Sequence, residues 1–463
     1  MDRNENMAVA DRSGFLGHPR GLTTLFMTEM WERFSFYGMR AILLLYMVAP
    51  AVAGGLGMSD ESAGALLGTY IMSVYLACIP GGLIADRWLG ARRAVLIGGI
   101  VIALGHFLMA FHGMTAFYGG LTLIVCGTGL LKPSVSNMLG GLYAGKDDPR
   151  RDVGFSIFYF GINVGAFLSP LVCGFLAQHE IFQGWLVRWG FDPTKSWHWG
   201  FAAAGLGMIL GLVQYGTQQK RFGAVGLPAA RNKELQANER LTAADWKRMG
   251  AIAILFVFTV FFFAVYEQGS TSLSLFADRL TDNHVPLLGW SFPSSWFQSV
   301  NPLFIIVLTP FFGWLWPWLG KREPSAPVKF AFGLAFVAVA IGLMVFASLS
   351  AASGKVTPLW LCGFFFIECV GEMCLSPVGL STVTKLAPPR FSGLMLGVWF
   401  LASALGGKLA GFLAGFFKED TQVMVILFGS LAISGLVAAA VLAFLSPTVC
   451  KLMGSDVSSK PSH

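Results

Sequence analysis

The chain has 463 residues, of which 55% are hydrophobic and only 12% are charged, and its mean hydropathy is +0.65. Soluble domains carry about a quarter charged residues, so this composition excludes an ordinary soluble protein and indicates a chain that crosses a membrane many times. The net charge of +7 therefore bears on membrane orientation rather than on nucleic-acid binding, which we do not expect.

Twelve apolar segments are each long enough for a membrane-spanning helix, which needs about 20 residues. In chain order they cover 22–50, 62–86, 94–112, 115–141, 153–178, 198–218, 250–277, 295–318, 328–350, 357–384, 391–416 and 421–446. The sequence thus predicts an all-α membrane protein with twelve transmembrane helices in two six-helix bundles. We expect the N-terminal bundle at 1–218, a cytoplasmic linker at 219–249 and the C-terminal bundle at 250–463, with no extra helix pair between the halves.

Positive charge predicts the orientation of these segments. With both termini in the cytoplasm, 23 of the 32 Lys and Arg residues fall in inside segments and five fall in outside segments. The other four, Arg33, Arg40, Lys132 and Lys408, lie within helices. Cytoplasmic loops are enriched in Lys and Arg, and the polar N-terminus lacks the apolar core of a signal peptide. We therefore expect a multi-pass protein of the cytoplasmic (inner) membrane with both termini inside.

The cysteines and histidines form no catalytic or metal-binding pattern. None of the seven cysteines belongs to a CxxC pair, and the seven histidines are scattered, mostly near the ends of spans. A membrane-embedded enzyme would need a set such as HExxH, and a channel would need a pore loop or symmetric subunits. We therefore expect no enzyme, no metal and no cofactor.

The first span contains charged residues at a depth where charge is costly. In TEMWERFSFYGMR (28–40), Glu32 and Arg33 follow Glu29 by three and four residues, Tyr37 follows Arg33 by four, and all four share one helix face. Charges within a membrane pair with one another, line water or perform a function. An ion pair that only fixes helix packing is an alternative for Glu29 and Arg33 taken alone. A purely structural role explains the whole set of ionisable residues in the spans less well.

Other spans carry further polar side chains. They are Lys132 in the fourth span, Tyr159 and Asn163 in the fifth, Glu267 in the seventh, Glu368 and Glu372 in the tenth, and Trp399 and Ser403 in the eleventh. Within the membrane the first half therefore has an excess of cations and the second half an excess of carboxylates. Two such walls suit a small zwitterion, because Arg and Lys bind carboxylates. A glutamate removed from water beside a cation can also take up and release a proton.

Ordered motifs along nearly the whole chain resemble the proton-dependent oligopeptide transporter (POT) family of the major facilitator superfamily. GHPRGL (17–22) and EMWERFSFYGMR look like its first-helix opening with the ExxER signature, and FSIFYFGINVGAFLSP (155–170) is similar to its fifth-helix signature. GTGLLKPSVSN, YEQGSTSLSLFADR, WFQSVNPLFIIVLTP and GEMCLSPVGLS look like its fourth, seventh, eighth and tenth helices. The resemblance implies the major facilitator fold and the proton-coupled import of di- and tripeptides by alternating access.

The resemblance also implies roles for individual residues. The peptide would be held by Arg33, Tyr37 and Lys132 at its carboxylate, Glu372 and Asn301 at its amino end, Asn163 at its peptide bond, and Tyr75, Tyr159, Trp399 and Ser403 around its side chains. Protons would be carried by Glu29, Glu32 and Glu267, with Lys132 as the partner of the first two.

One cytoplasmic turn looks like a motif of the wider superfamily. It reads GGLIADRWLGARR (81–93), and its expected gate residues are Asp86, Arg87, Arg92 and Arg93. A related turn, FGWLWPWLGKR (312–322), lies half a chain further on and favours two duplicated halves.

Two features depart from some members of that family. Gly68 stands where those members carry a second-helix histidine, so coupling here would rest on carboxylates. Many bacterial members have two extra helices between the halves, for which segment 222–249 is too polar.

A proton-coupled carrier of another small solute, such as nitrate or an amino acid, is the alternative function, because a fold does not determine its substrate. We expect a monomer surrounded by membrane lipid.

Overall fold

A computed structural model of the chain describes residues 13–143, 148, 150–227, 242–286, 289–387 and 392–454. The predicted linker at 219–249 is described at 219–227 and 242–249, and its residues 228–241 lie outside the described ranges. The predicted absence of an extra helix pair between the halves therefore stays a prediction.

The described chain is almost entirely helical. Its α-helices are α1 (Arg20–Val48), α2 (Asp60–Ile84), α3 (Ala91–Met109), α4 (Met114–Gly141), α5 (Arg150–Gln178), α6 (Glu180–Arg188), α7 (Ser196–Gln218), α8 (Ala243–Tyr266), α9 (Ser272–Arg279), α10 (Val300–Leu319), α11 (Ala326–Ala351), α12 (Leu359–Leu386), α13 (Ser392–Ala414) and α14 (Thr421–Met453). Short 3₁₀ turns occupy Phe15–Gly17, Ala51–Ala53, Pro193–Lys195, Gln219–Phe222, Glu267–Ser270, Ser294–Ser299 and Gly320–Arg322, and Ala85–Leu89 forms a π-helical turn. Two-residue strands β1 (His284–Val285) and β2 (Trp290–Ser291) pair with each other.

Eleven helical segments of the described chain are long and apolar enough to cross a membrane. They correspond to the second through twelfth predicted spans. The first predicted span coincides with α1, whose 29 residues are long enough to cross but include Glu29, Glu32, Arg33 and Arg40. The prediction of a multi-pass helical membrane protein is therefore confirmed, whereas the count of twelve depends on how α1 is assigned.

Two compact units can be distinguished in the described chain. Unit 1 consists of the described residues within 1–57, 73–232 and 291–302, and unit 2 consists of those within 58–72, 233–290 and 303–463. In unit 1, α1 packs against α5 and α7, and α3 packs against α4 and α7. In unit 2, α11 packs against α12 and α14, and α8 packs against α13 and α14. Helix α2 contributes residues to both units.

The seventh predicted span is not one continuous helix. Helix α8 ends at Tyr266, a 3₁₀ turn follows at Glu267–Ser270, and α9 resumes at Ser272. Thr271 has φ −116° and ψ −100°, which is not helical. Side-chain hydroxyl groups compensate for the interruption, since Thr271 Oγ1 donates to the carbonyl oxygen of Glu267 at 2.9 Å and Ser270 Oγ donates to the carboxylate of the same residue at 2.8 Å.

Close helix contacts fix how α1 sits in unit 1. A Cβ at Gly165 of α5 would clash with the carbonyl oxygen of Met30, so this position requires glycine for the helices to approach. On the side of α7, Thr24 Oγ1 donates to Gln218 Oε1 at 2.9 Å and Thr28 Oγ1 donates to Gln214 Oε1 at 3.1 Å. Helix α1 is thereby held on two sides.

Candidate functional site

The centre of the candidate site in unit 1 is an ion cluster on α1. The Nε atom of Arg33 lies 3.2 Å from Glu29 Oε1 and 2.5 Å from Glu32 Oε2. All three residues are buried: Arg33 and Glu29 are each 5% exposed, and Glu32 is 1% exposed. The contact between Glu29 and Arg33 is the one that their four-residue spacing predicts. The cluster therefore places one guanidinium between two carboxylates, away from solvent.

Two atoms of this cluster retain hydrogen-bonding capacity. Both are buried: Glu32 Oε1 accepts no hydrogen bond, and Arg33 Nη2 donates none, within the described part of the chain. The guanidinium carbon of Arg33 also lies 5.2 Å from the ring centre of Phe36 and 5.9 Å from that of Tyr37. A buried donor without a partner is costly. Arg33 can therefore donate to an additional acceptor, such as a carboxylate, without losing its existing contacts.

Lys132 lies beside Tyr75, on neighbouring helices of unit 1. Its Nζ is 4.3 Å from the centre of the Tyr75 ring, which is within the range of a cation–π interaction. A Cβ at Gly81 would clash with the carbonyl oxygen of Gly129, which shows how closely α2 approaches α4 at this level. Both side chains are half-buried. The predicted cation and the predicted pocket tyrosine are thus brought together by glycine-mediated packing.

Tyr159 and Asn163 occupy successive turns of α5. Asn163 is buried, and its Nδ2 donates to the carbonyl oxygen of Tyr159 at 2.9 Å. This bond to its own helix orients the amide group of Asn163. Asn301, predicted to act at the peptide amino end, is also buried and belongs to unit 1.

Glu267 caps the end of α8 in unit 2. It is buried, and its Oε2 accepts a hydrogen bond from Ser270 Oγ at 2.8 Å. The next residue of the turn, Gln268, donates to the carbonyl oxygen of Ala264 at 3.0 Å and accepts from Ser272 Oγ at 2.6 Å. The carboxylate that the sequence singles out therefore sits at the interruption between α8 and α9, among hydroxyl and amide groups.

The other predicted residues of unit 2 lie on α12 and α13. Glu372 is half-buried, whereas Glu368, one turn earlier, is only 1% exposed. A Cβ at Gly269 would lie 3.6 Å from Glu368 Oε1, so Glu368 borders the turn that Glu267 begins. Trp399 is buried and packs edge-on against Phe330, with ring centroids 6.1 Å apart. Ser403 is buried one turn after Trp399.

The predicted gate residues separate into two groups. Arg92 Nε donates to the carbonyl oxygen of Val225 at 2.6 Å, and its Nη2 donates to that of Gly223 at 2.5 Å. Arg92 thus holds the segment that follows α7, a contact that the sequence did not predict. Asp86, Arg87 and Arg93 are exposed, and within the described ranges no ion pair joins them to another residue. Their role as a gate stays a prediction.

Two polar contacts in unit 2 were missed because each joins residues far apart in the chain. Arg279 binds Asp60 through two nitrogens at 2.7 Å each, and Glu419 lies 3.5 Å from the same guanidinium. Lys408, whose place the sequence left open, donates to Thr69 Oγ1 at 2.6 Å. In the sequence these contacts were indicated only by the charge of Arg279 near the end of one predicted span and by the charge of Lys408 inside another.

Comparison with known proteins identifies the family. The sequence profile of the POT family matches residues 92–228 and 229–431. The chain belongs to the POT family. It is 39% identical to the peptide transporter YePEPT of Yersinia enterocolitica, over 95% of this chain and 96% of that protein. It is 34% identical to a di-/tripeptide transporter of Lactococcus lactis subsp. cremoris, over 95% of this chain and 97% of that protein.

A solved POT structure has the same fold. A crystal structure of a mutant of the peptide transporter POT in complex with alafosfalin is similar to this chain with a TM-score of 0.87 and 37% identity. The similarity covers 98% of this chain and 100% of that one. Together with family membership, this shows that the chain is a multi-pass membrane transporter and fits the expectation that it is not an enzyme.

Proposed function

We propose that this POT-family protein is a proton-coupled symporter that imports di- and tripeptides by alternating access. The observation that carries this proposal is the buried cluster of Arg33 with Glu29 and Glu32, in which Arg33 Nη2 can bind a further acceptor. A peptide presents the matching acceptor, its terminal carboxylate. The names of the Yersinia and Lactococcus relatives support peptides over nitrate or an amino acid.

The peptide carboxylate would bind on the wall formed by unit 1. Arg33 offers its planar guanidinium, Lys132 offers a point charge, and Tyr37, whose ring centre lies 5.9 Å from the Arg33 guanidinium carbon, offers a hydroxyl group. Asn163 would contact the peptide bond through the part of its amide not used by Tyr159. Tyr75 and Tyr159, both half-buried, would contact the peptide side chains.

The peptide amino end would bind at Glu372. Glu372 is half-buried on α12 and would bind the ammonium group together with Asn301. Trp399 and Ser403 on α13 would shape the pocket for a peptide side chain. The aromatic packing of Trp399 against Phe330 would hold its ring in place for that purpose.

Proton coupling would rest on buried glutamates. Glu29 and Glu32 share the single guanidinium of Arg33, so a substrate carboxylate that draws on Arg33 weakens their hold on it. A glutamate that loses its cationic partner in a buried site takes up a proton more readily. Lys132 would provide the second cation for these carboxylates, and Glu267 would carry a proton in unit 2. We propose Asp86, Arg87, Arg92 and Arg93 as a cytoplasmic gate.

We further propose a topology of twelve spans in two six-helix bundles, with α1 as the first span and both termini in the cytoplasm. The distribution of Lys and Arg supports this orientation in a cytoplasmic membrane. We place the N-terminal bundle at 1–218, the linker at 219–249 and the C-terminal bundle at 250–463, and we propose a monomer that needs no cofactor beyond the coupled proton.

Uptake of labelled dialanine into proteoliposomes tests the function. We expect accumulation that requires an inward proton gradient and is competed by a tripeptide but not by free alanine. Vesicles that contain Arg33→Ala protein, shown to be folded, are the matched control and should show no uptake. Absence of uptake by the folded native protein would overturn the peptide substrate, and a panel including nitrate and amino acids would then identify the solute.

A further inference from the structure

Helix α6 is too short to cross a membrane and was not among the predicted spans. It has nine residues and begins two positions after α5 ends at Gln178. His179 caps its first turn, because its Nδ1 accepts the N–H of Ile181 at 3.1 Å. The helix therefore starts immediately at the end of a membrane-spanning helix, and α7 begins soon after it at Ser196.

One face of α6 attaches it to unit 1. Phe182 and Leu186, one turn apart, are buried. The Phe182 ring lies 6.1 Å from that of Phe175 on α5 and 6.0 Å from that of Trp199 on α7. These contacts fix the rotation of α6 about its own axis, so its remaining faces have defined directions.

A second face of α6 is apolar but exposed. Ile181, Trp185 and Trp189 follow each other at four-residue spacing and are 42%, 40% and 59% exposed. We call these three residues the apolar stripe. The rings of Trp185 and Trp189 are 6.2 Å apart and form one surface. Glu180, Gly184 and Arg188, also at four-residue spacing, form the polar side of the helix.

The two helices that flank α6 also expose apolar side chains. On α5, Leu168 and Val172 are exposed, and on α7, Trp199 and Leu206 are exposed. Both helices are long and apolar enough to cross a membrane, so we expect their exposed apolar side chains to face acyl chains. The stripe begins three residues after the candidate span that ends at Gln178, and tryptophan is enriched at the boundary between membrane and water.

We propose that α6 is an interfacial anchor whose apolar stripe is seated at the boundary between headgroups and acyl chains of the phospholipid leaflet. Glu180 and Arg188 then point to water, as in other amphipathic helices that lie in the membrane plane. The positive-inside count places this end of α5 on the outer side. The anchor holds the connection between α5 and α7 at a fixed depth while substrate passes through the protein.

Spin labels on two faces of α6 test the position of the helix. Cysteine is introduced at Ile181 on the apolar stripe or at Val187, which is exposed on another face, in a background in which the exposed Cys126 is replaced by serine. In phosphatidylcholine nanodiscs we expect the label at 181 to collide several-fold more with oxygen, relative to a water-soluble nickel chelate, than the label at 187. Equal ratios at the two sites would overturn the anchor. Low collision rates with both reagents at 181 would show that protein covers the stripe, which also overturns the lipid assignment.

A second measurement avoids new cysteines. Phosphatidylcholine brominated close to the glycerol group quenches tryptophan at the interface, and the same lipid brominated near the chain end quenches deeper rings. We expect the double variant Trp185→Phe/Trp189→Phe to lose quenching by the shallow bromines more than by the deep ones. Trp197→Phe, at a buried position, is the control and should change neither. Unchanged shallow quenching in the double variant would contradict the proposal.

Discussion

The guanidinium of Arg279, at the end of α9, binds both carboxylate oxygens of Asp60, at the start of α2, with two distances of 2.7 Å. The two residues are 219 positions apart in the chain, and both belong to unit 2. The two parallel N–H···O bonds fit the fork of arginine to the carboxylate. This pair therefore attaches the first part of α2 to the second half of the sequence.

We expect Arg279→Gln and Asp60→Asn each to lower the free energy of unfolding by about 1 kcal/mol, because both side chains are partly exposed and solvent weakens their attraction. The double variant should lose little more than Arg279→Gln alone, since that substitution already removes the contacts of Arg279 with both Asp60 and Glu419. Thermal unfolding of the purified protein measures these changes. Fully additive losses would show that the two residues stabilise the protein independently.

Glu32→Gln should abolish accumulation driven by a proton gradient but leave counterflow exchange intact. The amide keeps the size of the side chain and can accept from Arg33, but it cannot carry a proton. Uptake under a gradient and exchange of labelled for unlabelled dialanine separate the two properties. Accumulation retained in Glu32→Gln would exclude Glu32 as an obligatory proton carrier and leave Glu29 or Glu267 for that role.

Arg33→Lys should lose both accumulation and exchange, as Arg33→Ala should. Lysine keeps the charge but cannot contact Glu29, Glu32 and a substrate carboxylate through one planar group. Loss of one charged hydrogen bond, about 1.5–3 kcal/mol, corresponds to a decrease of about tenfold or more in exchange rate. Arg188→Lys, on the exposed surface of α6, is the matched control and should exchange normally. Normal exchange by Arg33→Lys would show that charge alone suffices.

Gly165→Ala should destabilise the protein by about 1–3 kcal/mol, the usual cost of an added methyl group in a filled contact. Its Cβ would clash with the carbonyl oxygen of Met30, which is backbone and cannot rotate away. Gly216→Ala on α7 is the control, because its Cβ would meet nothing within 4 Å. That substitution should be neutral or stabilising, since alanine favours a helix. Equal thermal midpoints for the two variants would contradict the close approach of α1 and α5.

Helical periodicity predicts local features of this protein well. The spacing of Glu29 and Arg33 predicts their contact, because residues four apart lie on one helix face. The apolar segments likewise predict the second through twelfth spanning helices, with ends that differ from the observed ones by at most seven residues. Both predictions depend only on geometry within one helix.

Features that depend on tertiary contacts were not predictable in this way. Glu267–Thr271 are polar or glycine, but the apolar residues around them make Ala243–Arg279 one candidate span by hydropathy, whereas hydroxyl groups stabilise an interruption of the helix there. Arg92 resembles a gate residue in its motif, yet its guanidinium binds carbonyl oxygens of Gly223 and Val225, about 130 positions later. A carbonyl acceptor carries no side-chain signature, and a single sequence cannot reveal such a partner.

The pair of His18 and Tyr143 predicts a dependence of stability on pH. His18 Nδ1 lies 3.0 Å from the Tyr143 hydroxyl oxygen, just before α1 and just after α4. Burial, and then the neighbouring charge of Arg150, lower the pKa of His18 below its usual 6.5. Burial also raises the pKa of Tyr143 from 10 to about 12. The folded protein therefore favours the neutral form of both side chains.

We expect the free energy of unfolding to fall as the pH decreases below about 6.5. In that range the unfolded chain binds a proton at His18 that the folded protein does not, so acid favours unfolding. The free energy of unfolding should also fall as the pH rises from 10 to about 12, because the unfolded chain releases the Tyr143 proton more readily than the folded protein does. His18→Asn keeps a neutral polar side chain and should flatten the acid side only, while Tyr143→Phe should flatten the alkaline side. Thermal midpoints across this pH range test both, and an unchanged acid slope in His18→Asn would assign the loss to other groups, such as His179, whose pKa burial also lowers.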